Sequence, residues 1–164
     1  MTQIRKILFI SSSQHFVNTF LIDLLKSISK NQKISLITNF EEKPKGIDYI
    51  DRHHVSIKRK ISIFSDFKAL FLILIKIHTI NPNTIVSVTP KTILFGIVAK
   101  FLKPSINRIH IYTGFTWVTM TGLKRKFFIF LDKLNIIFSN KILFDSQSQI
   151  DYLKNKNFNI KKFH

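Results

Sequence analysis

The chain has 164 residues, enough for one domain with a proper core, and 45% of them are hydrophobic. It carries 26 Lys and Arg against 9 Asp and Glu, a net charge of +17, and no cysteine, which excludes a disulfide framework and a thiolate zinc site. Its first apolar run, Ile7–Ile10, is too short for a signal h-region or a membrane span, and its longest, 69–75 between Lys68 and Lys76, is too short to span, so a cytoplasmic protein, soluble or held at a membrane surface, is expected.

The first element is a strand over 7–10, Ile7-Leu-Phe-Ile10. Phe16, Phe20, Leu21, Leu24, Leu25 and Ile28 then share one helical face. A strand over 34–38 follows. Residues 40–52, with Pro44 and Gly46, read as a surface loop, and 55–57 as a third strand. Phe67, Leu70, Phe71, Leu74 and Ile75 mark the next helix, ended by Pro82, before a strand over 84–88. Ile93, Leu94, Ile97, Val98 and Phe101 mark another, ended by Pro104, before a strand over 108–112. Phe127, Phe128, Leu131, Leu134 and Phe138 mark a fourth helix, and 141–144 the last strand. Ser146-Gln-Ser-Gln149 has the spacing of a capping box. Continuously apolar strands alternating with helices predict an α/β domain over 1–158, with a Rossmann-like, doubly wound, mostly parallel sheet.

In such sheets ligands bind beyond the carboxyl ends of the strands, which directs attention to four loops. Ser11-Ser-Ser-Gln-His15 leads into a helix and places Ser12 and Ser13 on a cleft wall, or uses Ser13 only as a helix cap. It lacks the glycines of a dinucleotide fingerprint. Ser87-Val-Thr-Pro-Lys91 sets a hydroxyl and an ammonium at a helix start, where Lys91 suits a phosphate or diphosphate; a solvated Lys after a first-turn Pro has the same pattern. The stretch from His110 to Gly122 is the densest in chemistry. It holds the only Trp, Trp117, with Thr113, Gly114, Thr116, Thr119 and Thr121. Aromatic rings suit the apolar face of a sugar and hydroxyls its edges. The alternative is a turn anchored by a core Trp, with His110 a satisfied core histidine. Asp145-Ser-Gln-Ser-Gln149 is the fourth loop. Asp51, His53 and His54 alternate across a strand and are expected at the surface, with no metal site. No Gly-x-Ser-x-Gly elbow and no Walker loop is present.

Ile85-Val-Ser-Val-Thr-Pro-Lys91, Gly96, Ala99-Lys-Phe-Leu-Lys-Pro104 and Arg108-Ile-His110 resemble the N-terminal domain of family 4 glycosyltransferases, GT-B enzymes of surface polysaccharide assembly. The likeness continues through Thr113-Gly114, Trp117, Thr119, Gly122-Leu-Lys-Arg125, Leu131-Asp-Lys133 and Asp145–Gln149, with Phe115 where Gln is expected and Asn83 where Asp is usual. The resemblance implies a retaining transferase in two domains. The first binds a lipid-linked saccharide acceptor, with His110 catalytic and Lys91, Thr113, Gly114, Trp117, Thr119, Ser12 and Ser13 on the acceptor side. The second binds a sugar nucleotide and carries a Glu-x7-Glu pair. The only Glu residues here are Glu41 and Glu42, so that donor domain is expected to be absent, with 159–164 the start of a continuation. The chain needs no cofactor of its own on this reading and is expected to be inactive alone. A cleft loop left exposed around Phe115, Trp117 and Met120 is also expected.

The positive charge has two explanations. Coding bias adds Lys along with Asn, Ile and Phe, but it does not account for so few acids. A polyanionic partner does. Leu123-Lys-Arg-Lys-Phe-Phe-Ile-Phe-Leu131 joins basic and large apolar residues, which suits the inner face of an anionic membrane. A nucleic-acid module has only the charge in its favour and no recognition motif, so no nucleic-acid partner is expected. A non-catalytic subunit that recruits a separate donor-domain protein is the remaining alternative.

Overall fold

The computed structural model describes residues 4–42, 46–58, 62–156 and 158. The chain groups into two compact units, Met1–Ile85 and Val86–His164. The start of a continuation expected at 159–164 lies outside the described residues.

In the first unit, β1 (Lys6–Ile10), β2 (Lys33–Thr38) and β3 (Asp51–His54) pair in parallel, with Lys6 beside Lys33 and Ser35 beside Asp51. Between β1 and β2 runs an unbroken helical stretch: α1 (Gln14–Phe16), a π turn (Val17–Leu21) and α2 (Ile22–Ser29). Its buried apolar residues are Val17, Leu21 and Leu25, each one turn apart, while Phe20 and Leu24 face outward. The long α3 (Ile63–Ile80) buries Ala69, Ile73 and Ile77. It stops at Asn81, whose φ of 49° is left-handed and whose N–H reaches Ile77 O at 3.0 Å.

The second unit holds α4 (Thr92–Leu102), β5 (Asn107–Tyr112), a 3-10 turn (Thr116–Thr119), α5 (Gly122–Phe138), β6 (Lys141–Phe144) and α6 (Gln147–Lys154), with β5 and β6 parallel. The remaining strand, β4 (Thr84–Ser87), carries the chain from one unit into the other. Strand order is β3-β2-β1-β4-β5-β6, the Rossmann-like α/β arrangement that the apolar runs predict.

Three expectations need correction. The third strand is Asp51–His54, not 55–57. It lies at an edge and is largely exposed, so it has no apolar signature, while Val55 and Ile57 are buried as the chain leaves the sheet. In α3, Phe67 and Phe71 point outward, because a helix apolar all round does not advertise which face is buried. Ser146 does stand at the N-cap of α6, but no capping box forms; its hydroxyl pairs with Ser148 Oγ at 3.1 Å.

Candidate functional site

In the second unit, β5 delivers His110 and Tyr112 to the start of the Thr113–Met120 loop. Gly114 has a φ of +126°, a conformation L side chains rarely adopt, and this lets the loop turn back. A small cleft opens there, lined by Val88, Pro90, His110, Thr113, Gly114 and Thr116, with Asp132 at its inner wall.

The loop is held from below by polar groups in an apolar cluster. Trp117 is 1% exposed, and its Nε1–H donates to Asp132 Oδ2 at 2.5 Å. Tyr112 OH donates to Asp132 Oδ1 at 3.0 Å and accepts from Asn135 Nδ2 at 2.9 Å. Asn135 Oδ1 in turn accepts from Arg108 Nη2 at 2.5 Å. Arg108 Nη1 donates to Asn135 O at 3.1 Å and to Ser139 Oγ at 2.6 Å, and Nη2 also reaches Ile93 O at 3.2 Å. A buried guanidinium is thus linked to a buried carboxyl through two neutral side chains, Asn135 and Tyr112. Burial lowers the Arg108 pKa to about 10 and raises that of Asp132 to about 6, against the pull of its Trp117 and Tyr112 hydrogen bonds. Burial also lifts the Tyr112 hydroxyl well above its usual range, with Asp132 adding to the effect.

His110 is buried, and its Nδ1 lies 2.8 Å from Ser87 Oγ. Burial, and then the Arg108 charge, hold its pKa well below the ordinary histidine value. It is therefore a neutral imidazole at the base of the cleft, packed edge-on against Tyr112 at 4.6 Å. Its Ser87 contact selects the tautomer, and so whether the other ring nitrogen can donate or accept a proton.

The structure brings His110, Thr113 and Gly114 together and separates others from them. Trp117, expected to stack on a sugar, has no free face: it lies among Phe115, Tyr152 and Phe158, with ring centroids at 5.5, 5.6 and 6.3 Å. It anchors the loop, as the alternative reading held. For the same reason the loop is not the exposed apolar patch expected of it, since Phe115 and Met120 are half-buried. Thr119 is exposed on the 3-10 turn, and neither it nor Lys91, which is half-buried at the head of α4, lines the cleft. The hydroxyl expected to serve beside Lys91 is committed: Thr89 is buried, and its Oγ1 donates to Thr92 Oγ1 at 3.4 Å.

In the first unit Ser12 is half-buried, and Ser13 caps α1 by accepting from Phe16 N–H at 3.3 Å. The adjacent Gln14 accepts from Glu41 N–H at 2.6 Å and Glu42 N–H at 3.1 Å and so pins the loop after β2. His53 is only half-exposed, with burial and nearby Lys76 lowering its pKa.

Sequence reasoning missed Arg108, Asp132, Asn135 and Ser139. The signal available was spacing: the last three fall at i, i+3 and i+7, one helical face.

No family model matches the chain. In sequence it is 28% identical over 119 residues to the capsular polysaccharide biosynthesis glycosyltransferase CapM of Staphylococcus aureus, a match covering 73% of this chain and 31% of that protein. In structure it resembles the lipopolysaccharide outer core galactosyltransferase WaaB, with a TM-score of 0.70 at 11% identity over 97% of this chain and 44% of that one. The UDP-GlcNAc 2-epimerase of Methanocaldococcus jannaschii gives 0.64 at 13% identity, over 97% and 44%. The fold is thus that of half of a GT-B enzyme, as the resemblance implied, and the chain spans about a third of the length of the curated relative it matches. Epimerases use the same half-fold, so transfer chemistry is argued from the sequence likeness.

Proposed function

We propose that the chain is the acceptor-side half of a retaining glycosyltransferase of surface polysaccharide assembly. It binds a lipid-linked saccharide at an anionic, cytoplasmic membrane face, and a donor domain supplies the hexose or N-acetylhexosamine from a sugar nucleotide. The observation that carries this reading is the sequence likeness to CapM over 73% of the chain. The cleft supports it: hydroxyl-bearing Thr113 and Thr116 stand over a neutral imidazole, a combination suited to holding a sugar hydroxyl. His110 acts at its base. Thr113 and Gly114 line it, Trp117 positions the loop, Lys91 and Thr119 serve the acceptor from elsewhere on the second unit, and Ser12 and Ser13 serve it from the first.

Catalysis requires groups aimed at the leaving nucleotide as well as at the acceptor, so these 164 residues should transfer no sugar by themselves. The test is incorporation of radiolabelled sugar from a sugar nucleotide into a lipid-linked acceptor, with and without a separately expressed donor domain. Activity only on mixing supports the reading; turnover by the chain alone overturns it. In the mixed enzyme, His110→Ala should lower kcat at least about a hundredfold. A variant that melts early yet keeps its specific activity would make His110 purely structural.

A further inference from the structure

We propose that the outward face of α5 is a docking surface for an anionic lipid bilayer. A helix turns about 100° per residue, so Leu123, Phe127, Phe130 and Ile137 fall in one stripe about 80° wide, with Leu134 within it half-buried against the core. Leu123 is 83% exposed, Phe127 53%, Phe130 55% and Ile137 63%. Exposed Lys126 and Lys133 border the stripe on one side and exposed Lys124 on the other. The only acid of the helix, Asp132, is turned inward beside Asn135 and Ile136, so the outward face carries no negative charge. Those inward contacts fix how the helix presents its stripe.

Large apolar groups bordered by lysines suit an interface where acyl chains and anionic headgroups meet. Nucleic acid would use the lysines but gains nothing from four exposed apolar side chains. Among the described residues no helix is long and apolar enough to cross a membrane, so the contact is with a surface. Phe64, Phe67 and Phe71 form an exposed apolar stripe on α3 as well, but among the described residues of that helix only one lysine, Lys68, is exposed, against three on α5. The inference names the partner surface within the function proposed above; its test involves no sugar, so either can fail alone.

The experiment is co-sedimentation of the 164-residue chain with vesicles of phosphatidylcholine, with or without phosphatidylglycerol. Binding should require the anionic lipid and weaken as salt rises. Replacing Lys124, Lys126 and Lys133 together by Gln should lower partitioning on the order of a hundredfold, with the circular dichroism spectrum unchanged because all three are exposed. Phe127→Ser with Phe130→Ser should lower it at least about tenfold, while Phe64→Ser with Phe67→Ser on α3 leaves it unaltered. Undiminished binding of the lysine variant, loss of binding through the α3 variant instead, or binding to duplex DNA with none to vesicles would each overturn the proposal.

Discussion

Gly96→Ala should destabilise the chain by about 3 kcal/mol, a large share of a domain's total stability. Gly96 lies in α4 with its Cα against the Arg108 side chain. A Cβ built there would sit 2.5 Å from Arg108 Nε, 3.0 Å from Nη2 and 3.1 Å from Cζ. A long side chain usually yields to such an intrusion by swinging aside. Arg108 has nowhere to swing, because its guanidinium is fixed by Asn135, Ser139 and Ile93 and is wholly buried. Moving it breaks charged hydrogen bonds in a medium that cannot replace them. Urea unfolding at neutral pH measures the loss. The cause is separable, since Arg108→Met removes the group with which the methyl collides. Gly96→Ala should then cost far less in the Arg108→Met background than alone. Equal costs in both backgrounds would mean that the glycine serves something other than the arginine.

The second large effect is a pair of opposed titrations. Asp132 has its pKa raised from 3.8 to about 6 in the folded chain. The folded state therefore holds a proton that the unfolded state has released, and stability present below about pH 4 is lost as pH rises through about 6, about 3 kcal/mol in all. His110 works in the reverse sense. Its folded pKa lies below 6.5, so stability present above that pH is lost as the solution is acidified. Each group tilts the profile by about 1.4 kcal/mol per pH unit, with opposite sign, Asp132 over the window from about pH 4 to 6 and His110 below 6.5. Single variants should expose the tilt. Relative to the parent, Asp132→Asn should gain stability as pH rises through that window, and His110→Gln should lose it. Denaturant unfolding across pH 4.5–7.5 gives both difference curves, in which the exposed carboxylates cancel. Two flat curves would show that neither group has the shifted pKa assigned to it.

The order of strands and helices was legible because strands covered on both faces must be continuously apolar, as Ile7–Ile10 and Ile34–Thr38 are. Asp51–His54 escaped because an edge strand owes its place to backbone pairing and shows no hydrophobic pattern. Helix facing escaped for a different reason. In α3 apolar residues surround the axis, and periodicity cannot tell a buried Ile73 from an exposed Phe67. The cleft was half legible. Hydroxyls and glycine after β5 marked the loop, but Asp132, Asn135 and Ser139 read as ordinary polar residues of a surface helix. Their burial depends on Arg108, which lies 24 residues upstream of Asp132 and is brought to them only by the fold. Trp117 shows the same dependence. Its identity suggested a platform for sugars, and its hydrogen bond to Asp132 makes it part of the core instead.

That bond also equips the protein with an internal optical gauge. Trp117 is the only tryptophan, so emission excited at the red edge of aromatic absorption arises from one indole, in the Val86–His164 unit. Its ring is sealed from solvent and its N–H rests on a carboxyl whose charge changes near pH 6. Unfolding of that unit can thus be followed by a red shift, and protonation of Asp132 by a change in intensity without one. Circular dichroism reports both units at once. Comparing the two signals in a single titration shows whether the halves of the chain unfold together or in turn, with no label attached.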